Sequence, residues 1–126
     1  MTSAITATDL NRWQYRALEV LTRFAKEGLS AQRHPLNWQI TSNGALRGEV
    51  DRYTPRLTTN DRRAIFDEWC RVVGAGTPRE SKTYAGDTEL RSVFQWPTNR
   101  GNVEGSLVLV IDAPLDGEFD EEGATP

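Results

Sequence analysis

Leu36-Asn37-Trp38-Gln39-Ile40-Thr41-Ser42-Asn43-Gly44-Ala45-Leu46-Arg47-Gly48-Glu49-Val50 is the stretch on which the fold turns. Leu36, Trp38 and Ile40 alternate with polar residues, the period of a half-buried strand, and Leu46 to Val50 resumes after a turn signal. A two-residue Asn43-Gly44 turn would pair Ile40 with Arg47 and set the two apolar series on opposite faces, because a one-residue slip turns every side chain over. A three-residue loop, Ser42 to Gly44, removes the conflict. It pairs Ile40 with Leu46, Trp38 with Gly48 and Leu36 with Val50, and gives Gly44 the left-handed bulge position. Gly48 then lacks a side chain because the Trp38 indole lies across it.

Upstream, Leu10, Trp13, Ala17, Val20, Leu21, Phe24 and Ala25 recur at three- and four-residue spacing and predict a helix over 9–27. Thr8 or Asp9 can cap its start and Gly28 its end. Tyr15 and Leu18 fall off the main stripe, as a second contact surface would. Downstream, Thr58, Thr59 or Asn60 can open a second helix through Ile65, Phe66, Trp69, Val72 and Val73, with Gly74 and Gly76 ending it. Arg62, Arg63, Asp67, Glu68 and Arg71 are expected on its exposed side, and Cys70 borders the apolar stripe.

Strand signals return at Lys82 to Tyr84, Glu89 to Trp96 and Val103 to Ile111, with turns at Ala85-Gly86-Asp87 and Pro97 to Gly101. Trp96 should face Val103, Phe94 Gly105, Ser92 Leu107 and Leu90 Leu109. Leu107 to Ile111 is apolar on both faces, which suits a central strand or a sheet covered on its second side by a partner. The expected order is α-β-β-α-β-β-β. This predicts an α+β domain over 9–111, an antiparallel sheet of four to five strands with both helices on one face. Trp13, Phe24, Trp38, Ile40, Phe66, Trp69, Leu90, Phe94, Leu107 and Leu109 form the expected core. Leu46–Val50 (LRGEV) is faintly echoed by Leu90–Phe94 (LRSVF); a duplicated αββ unit would produce this, but a five-residue match is short enough for chance to be the expected cause.

The 126 residues suit one domain. A mean hydropathy of -0.58 is low, but four Trp among the aromatics supply a core. No apolar run is long enough to span a bilayer, and residues 1–8, an expected flexible N-terminus, lack the pattern of a secretory signal. A cytoplasmic location is expected. Charge is divided unevenly. Residues 112–126 hold Asp112, Asp116, Glu118, Asp120, Glu121 and Glu122 with no base, so 1–111 carry an excess of cations. That acidic end is expected to be a disordered tail. Thirteen of the fifteen basic residues are Arg, as a G+C-rich genome gives through codons alone.

One cysteine and one histidine put disulfides and the usual zinc sites out of reach. Gly74-Ala75-Gly76 follows a helix instead of opening one, so it is no phosphate loop. His34 and Ser30 have no elbow motif or second histidine beside them, and Cys70 has no base. No catalytic residue, metal ligand or cofactor is identified. Arg47, Arg62, Arg63 and Arg91 are candidate phosphate contacts if they converge, with Tyr84 and Trp96 able to stack on unpaired bases. Tyr15, Leu18, Val108 and Val110 are the candidate interface for a protein partner or for self-association as a homodimer.

Leu36-x-Trp38-x-Ile40 followed by Gly44-x-Leu46-x-Gly48-x-Val50, then Phe66-x-x-Trp69 and Leu90-Arg91, resembles small uncharacterised proteins of actinobacteria and their phages. The likeness covers residues 10–111 and implies an architecture and a genomic setting without an activity. The expected function is a non-enzymatic interaction or accessory protein, such as an anti-defence or regulatory factor of a phage or mobile element. A nucleic-acid-binding protein with an Arg-rich face modulated by the acidic tail, and an enzyme of unrecognised type, are the alternatives.

Overall fold

In the computed structural model, which describes residues 4–113, the chain forms α1 (Ala7–Ser30), β1 (Asn37–Ile40), β2 (Leu46–Glu49), α2 (Thr59–Val73), β3 (Arg79–Lys82), β4 (Thr88–Thr98) and β5 (Gly101–Ile111). The predicted element order is the observed one. Both helices open with the same capping box. Thr6 and Thr58 accept from the backbone N–H groups of Asp9 and Asp61, whose carboxylates accept from the N–H groups of the two threonines. The first helix therefore starts at Ala7, before the expected Asp9.

Both helices also end alike. Gly74 takes φ 70° after α2, while the N–H of Ala75 reaches back to the Cys70 carbonyl at 2.9 Å. After α1 the left-handed residue is Gln32, at φ 54°, and Arg33 N–H reaches the Gly28 carbonyl at 2.8 Å. Gly28, expected to stop the helix, instead lies inside it and is buried.

The five strands form one sheet in the order β1-β2-β5-β4-β3. The expected registers hold: Trp38 pairs with Gly48, Ile40 with Leu46, Trp96 with Val103, Phe94 with Gly105, Ser92 with Leu107 and Leu90 with Leu109. The sheet departs from the antiparallel expectation at one pair, since β2 runs parallel to β5. Each helix is followed by a hairpin, and the two hairpins flank β5 with opposite directions. One of their inner strands must then run with β5 and the other against it.

The first hairpin loop closes through Thr41, whose N–H donates to the Ala45 carbonyl, with Gly44 at φ 83°. The second repeats it: Thr83 N–H donates to the Asp87 carbonyl and Gly86 sits at φ 91°. Tyr84, Ala85 and Gly86 thus form this loop, one residue earlier than expected, and β3 lies at 79–82. By this equivalence Arg47 corresponds to Glu89, so the LRGEV and LRSVF segments echo each other two residues out of structural step.

Phe24 stands at the centre of the core, with ring centroids of Trp96 at 5.0 Å, Trp38 at 5.6 Å, Phe94 at 6.2 Å and Trp69 at 6.3 Å. Both helices contribute to this one cluster, as do Leu46, Val103, Leu107 and Leu109 from the sheet. The helices thus share a face. Trp38, Ile40 and Leu90 pack against the cluster half-buried, whereas Trp13 is half-buried outside it, against the tip of the first hairpin.

Past β5, Asp112 pairs with Arg52, and Ala113 N–H donates to Asp87 at 2.8 Å. Residues 112 and 113, expected in the tail, are therefore docked; the tail from 114 lies outside the described residues.

Candidate interaction surface

The four candidate phosphate contacts do not share a face. Arg47 and Arg91 project from β2 and β4 on the side of the sheet away from the helices, each paired with an acid of its own strand, Glu49 at 3.8 Å and Glu89 at 3.3 Å. Arg62 and Arg63 belong to α2 on the opposite layer. Arg63 is exposed, but Arg62 is buried and its Nη1 donates to the Arg52 carbonyl at 2.9 Å, holding the β2–α2 connection onto the helix. The expectation of an exposed Arg62 fails because the connection folds over it. Trp96, a candidate for base stacking, is turned into the aromatic cluster, while Tyr84 is fully exposed at the tip of its loop.

Val108 and Val110 are buried instead of forming an open apolar patch. They lie on the helix-free side of β5, opposite Arg91 and Glu89 on β4, with Glu49 of β2 beside Val108. Long charged side chains flanking the valines on both neighbouring strands can shield them with their aliphatic stems. Central position in the sheet thus accounts for the doubly apolar strand.

Tyr15 and Leu18 are where the sequence put them, 59% and 48% exposed on the outer side of α1. Leu29, which sequence reasoning passed over, is 82% exposed and continues the same side. Thr22 and Ala25 fill the intervening exposed positions, and the Thr22 hydroxyl donates to the Leu18 carbonyl at 2.9 Å. The spacing of three and four residues makes a stripe about 21 Å long at 1.5 Å per residue.

At its Leu29 end the stripe meets a pocket of about 260 Å³ between α1, the start of β1 and α2. Phe24, Trp38 and Trp69 give it an aromatic lining, Leu29 and Pro35 contribute apolar surface, and Arg33 is its one charged residue. The rings are fixed relative to one another: Trp38 and Trp69 meet edge to face at 5.7 Å, and the Trp69 indole N–H donates to the His34 carbonyl at 2.7 Å. The Arg33 guanidinium lies 5.3 Å over the Trp69 ring with its Nε on Glu68 at 3.2 Å, and its buried Nη1 has no hydrogen-bond partner.

Two other grooves are more polar. One, about 270 Å³, lies among Trp13, Arg16, Asn43 and Glu104; the second, about 350 Å³, holds the Glu19–Arg100 ion pair beside Arg23 and Trp96. Cys70 is half-buried, and burial pushes its thiol above the usual 9.0, which suppresses the nucleophilic thiolate. Among the described residues no group of three His, Cys, Asp or Glu side chains could hold a metal ion, and no helix is long and apolar enough to cross a membrane. Comparison with family models, curated proteins and solved structures gave no match.

Proposed function

We propose that this chain is a non-enzymatic interaction protein, an accessory factor that recognises another protein through the outer side of α1. The observation that carries this reading is the run of Tyr15, Leu18 and Leu29, exposed at helical spacing on a side of α1 turned away from the core. Burying such a stripe against a partner removes apolar area from water, and aromatic and aliphatic anchors of this kind dominate helix-mediated recognition. The helix is held rigidly by its capping box and by the Phe24 cluster, so little order has to be imposed on binding.

The test is photo-crosslinking in the producing cells from a reactive residue placed at Leu18 or Leu29, with Tyr84 as a control on a distant loop. The expected result is one and the same protein captured from both α1 positions and not from Tyr84. Equal capture from all three positions, or none from α1, would refute the reading. An adduct of two copies of the chain would identify the stripe as a homodimer interface instead.

A further inference from the structure

We infer that the free edge of β5 at Asn102 and Glu104 is a docking slot for an extended segment of a partner protein, and that this segment brings an acidic side chain to Arg16. The slot lies away from the Tyr15–Leu29 stripe and stands without it. β5 pairs with β4 along its whole length, but β2 joins its other side only from Gly105 onward. Backbone groups of successive strand residues point to alternate sides. The Val108 carbonyl accepts from the Val50 N–H at 3.0 Å, so the even-numbered residues of β5 point toward the side that β2 occupies. Beside Asn102 no strand is there, and the groove of about 270 Å³ between α1 and the first hairpin tip takes its place. The N–H and C=O of Asn102 and the N–H of Glu104 therefore face that groove, which both residues line together with Trp13 and Arg16. Unpaired main-chain groups in this spacing are the template on which an added strand pairs.

The charge on the α1 side of the groove is Arg16. A Cβ built on Gly101 would stand 3.2 Å from its Nη1, which places the guanidinium at the start of the same edge. Among the described residues no acid pairs with it. Glu19, one turn on, is taken by Arg100 at 3.0 Å. Glu104 stands opposite Gln95, so its side chain lies on the helix-free side of the sheet. Of the Arg16 nitrogens only Nε is buried without a partner, and both Nη groups are left to an incoming acceptor. A strand laid along β5 turns every second side chain toward α1, between Trp13 and Arg16. A glutamate there sets its methylene stem against the indole and its carboxylate on the planar guanidinium fork.

The probe is a blocked pentapeptide, threonine-valine-glutamate-valine-threonine, titrated into the full-length protein while indole and backbone N–H resonances are followed by NMR. The expected result is saturable shifts of the Trp13 indole and of the Asn102 and Glu104 amides, with slowed hydrogen exchange at those two amides. Trp38 and Trp69 should stay unmoved, and their unchanged resonances report an intact core in each variant. Glutamine in place of the peptide's glutamate, and Arg16→Gln in the protein, should each weaken binding at least about tenfold, while Arg16→Lys keeps part of it. Methylation of the peptide's backbone nitrogens should abolish binding, because the pairing is made by main-chain groups. No saturable shift, shifts without protection at Asn102 and Glu104, or an affinity indifferent to the glutamate and to Arg16 would overturn the inference. So would the same shifts arising from protein concentration without peptide, because a second copy would then be the occupant. None of Tyr15, Leu18 and Leu29 lines the groove, so a failed titration and failed crosslinking from α1 are separate results.

Discussion

Gly44 rests directly on the backbone of Trp13: a Cβ built on Gly44 would stand 2.5 Å from the Trp13 Cβ and 2.6 Å from its carbonyl carbon. The first hairpin tip is thereby seated on α1, and the contact is reinforced by the Gln14 side-chain amide, which donates to the Thr41 carbonyl at 3.0 Å. One glycine serves two purposes there, a left-handed turn and a close approach.

The second hairpin provides the control. Gly86 has nearly the same φ, 91° against 83°, but nothing lies within 4 Å of its missing Cβ. Gly86→Ala should therefore lose only the conformational term, about 1–2 kcal/mol, whereas Gly44→Ala should lose more than about 3 kcal/mol as helix and hairpin are forced apart. Urea unfolding of the two variants measures the difference. Equal losses would show that the tip is not seated on the helix.

Gly105 lies under the Phe94 ring, its cross-strand partner, and a Cβ at Gly105 would overlap the ring edge. Gly105→Ala should destabilise by about 2–3 kcal/mol. Phe94→Leu should recover part of that loss when the two changes are combined, because the shorter side chain vacates the overlap. Strict additivity in the double-mutant cycle would disprove the contact.

Gln32→Gly should stabilise the protein by about 1 kcal/mol, since Gln32 holds a left-handed φ of 54° at the position after α1 where glycine fits without strain. A thermal midpoint that stays level or falls would count against this account of the helix end.

Asp87 ties the end of β5 to the rest of the domain. The Ala113 N–H and the Arg52 guanidinium hold its carboxyl below the ordinary 3.8. A lowered folded-state value means that its stabilisation is complete above 3.8 and disappears as pH falls through the lower folded value. Asp87→Asn should thus be less stable than the parent at neutral pH, with the gap closing at pH ~2. A gap that persists in acid would refute the ionic account.

Cys70 should react slowly with iodoacetamide at pH ~8 in the folded protein and rapidly after unfolding, because burial raises its thiol above 9.0. Fast labelling of the native protein would reopen a chemical role for this residue.

Much of the candidate surface was legible, though unevenly. Tyr15 and Leu18 stand off the core stripe by simple helical spacing, so their exposure follows from the sequence. Leu29 escaped notice because Gly28 reads as a helix end, and the chain past it as loop; the helix in fact continues to Ser30. The aromatic pocket gathers residues from α1, β1 and α2, which no local pattern brings together.

By itself the sequence determined the element order, the registers of the β1–β2 and β4–β5 hairpins and the loop glycines, while the β3–β4 loop fell one residue from its expected place. These depend on periods of two and of three to four residues and on φ-positive turns, all of which act over a few neighbouring positions. Only the tertiary structure decided that β2 would run parallel to β5, that Arg62 and Val108 would be covered, and that Gly28 would open a pocket beside Trp69. Each of those outcomes depends on surfaces distant in sequence meeting across a shared core, where burial and polar pairing are set by the neighbours a residue acquires rather than by those it has in the chain.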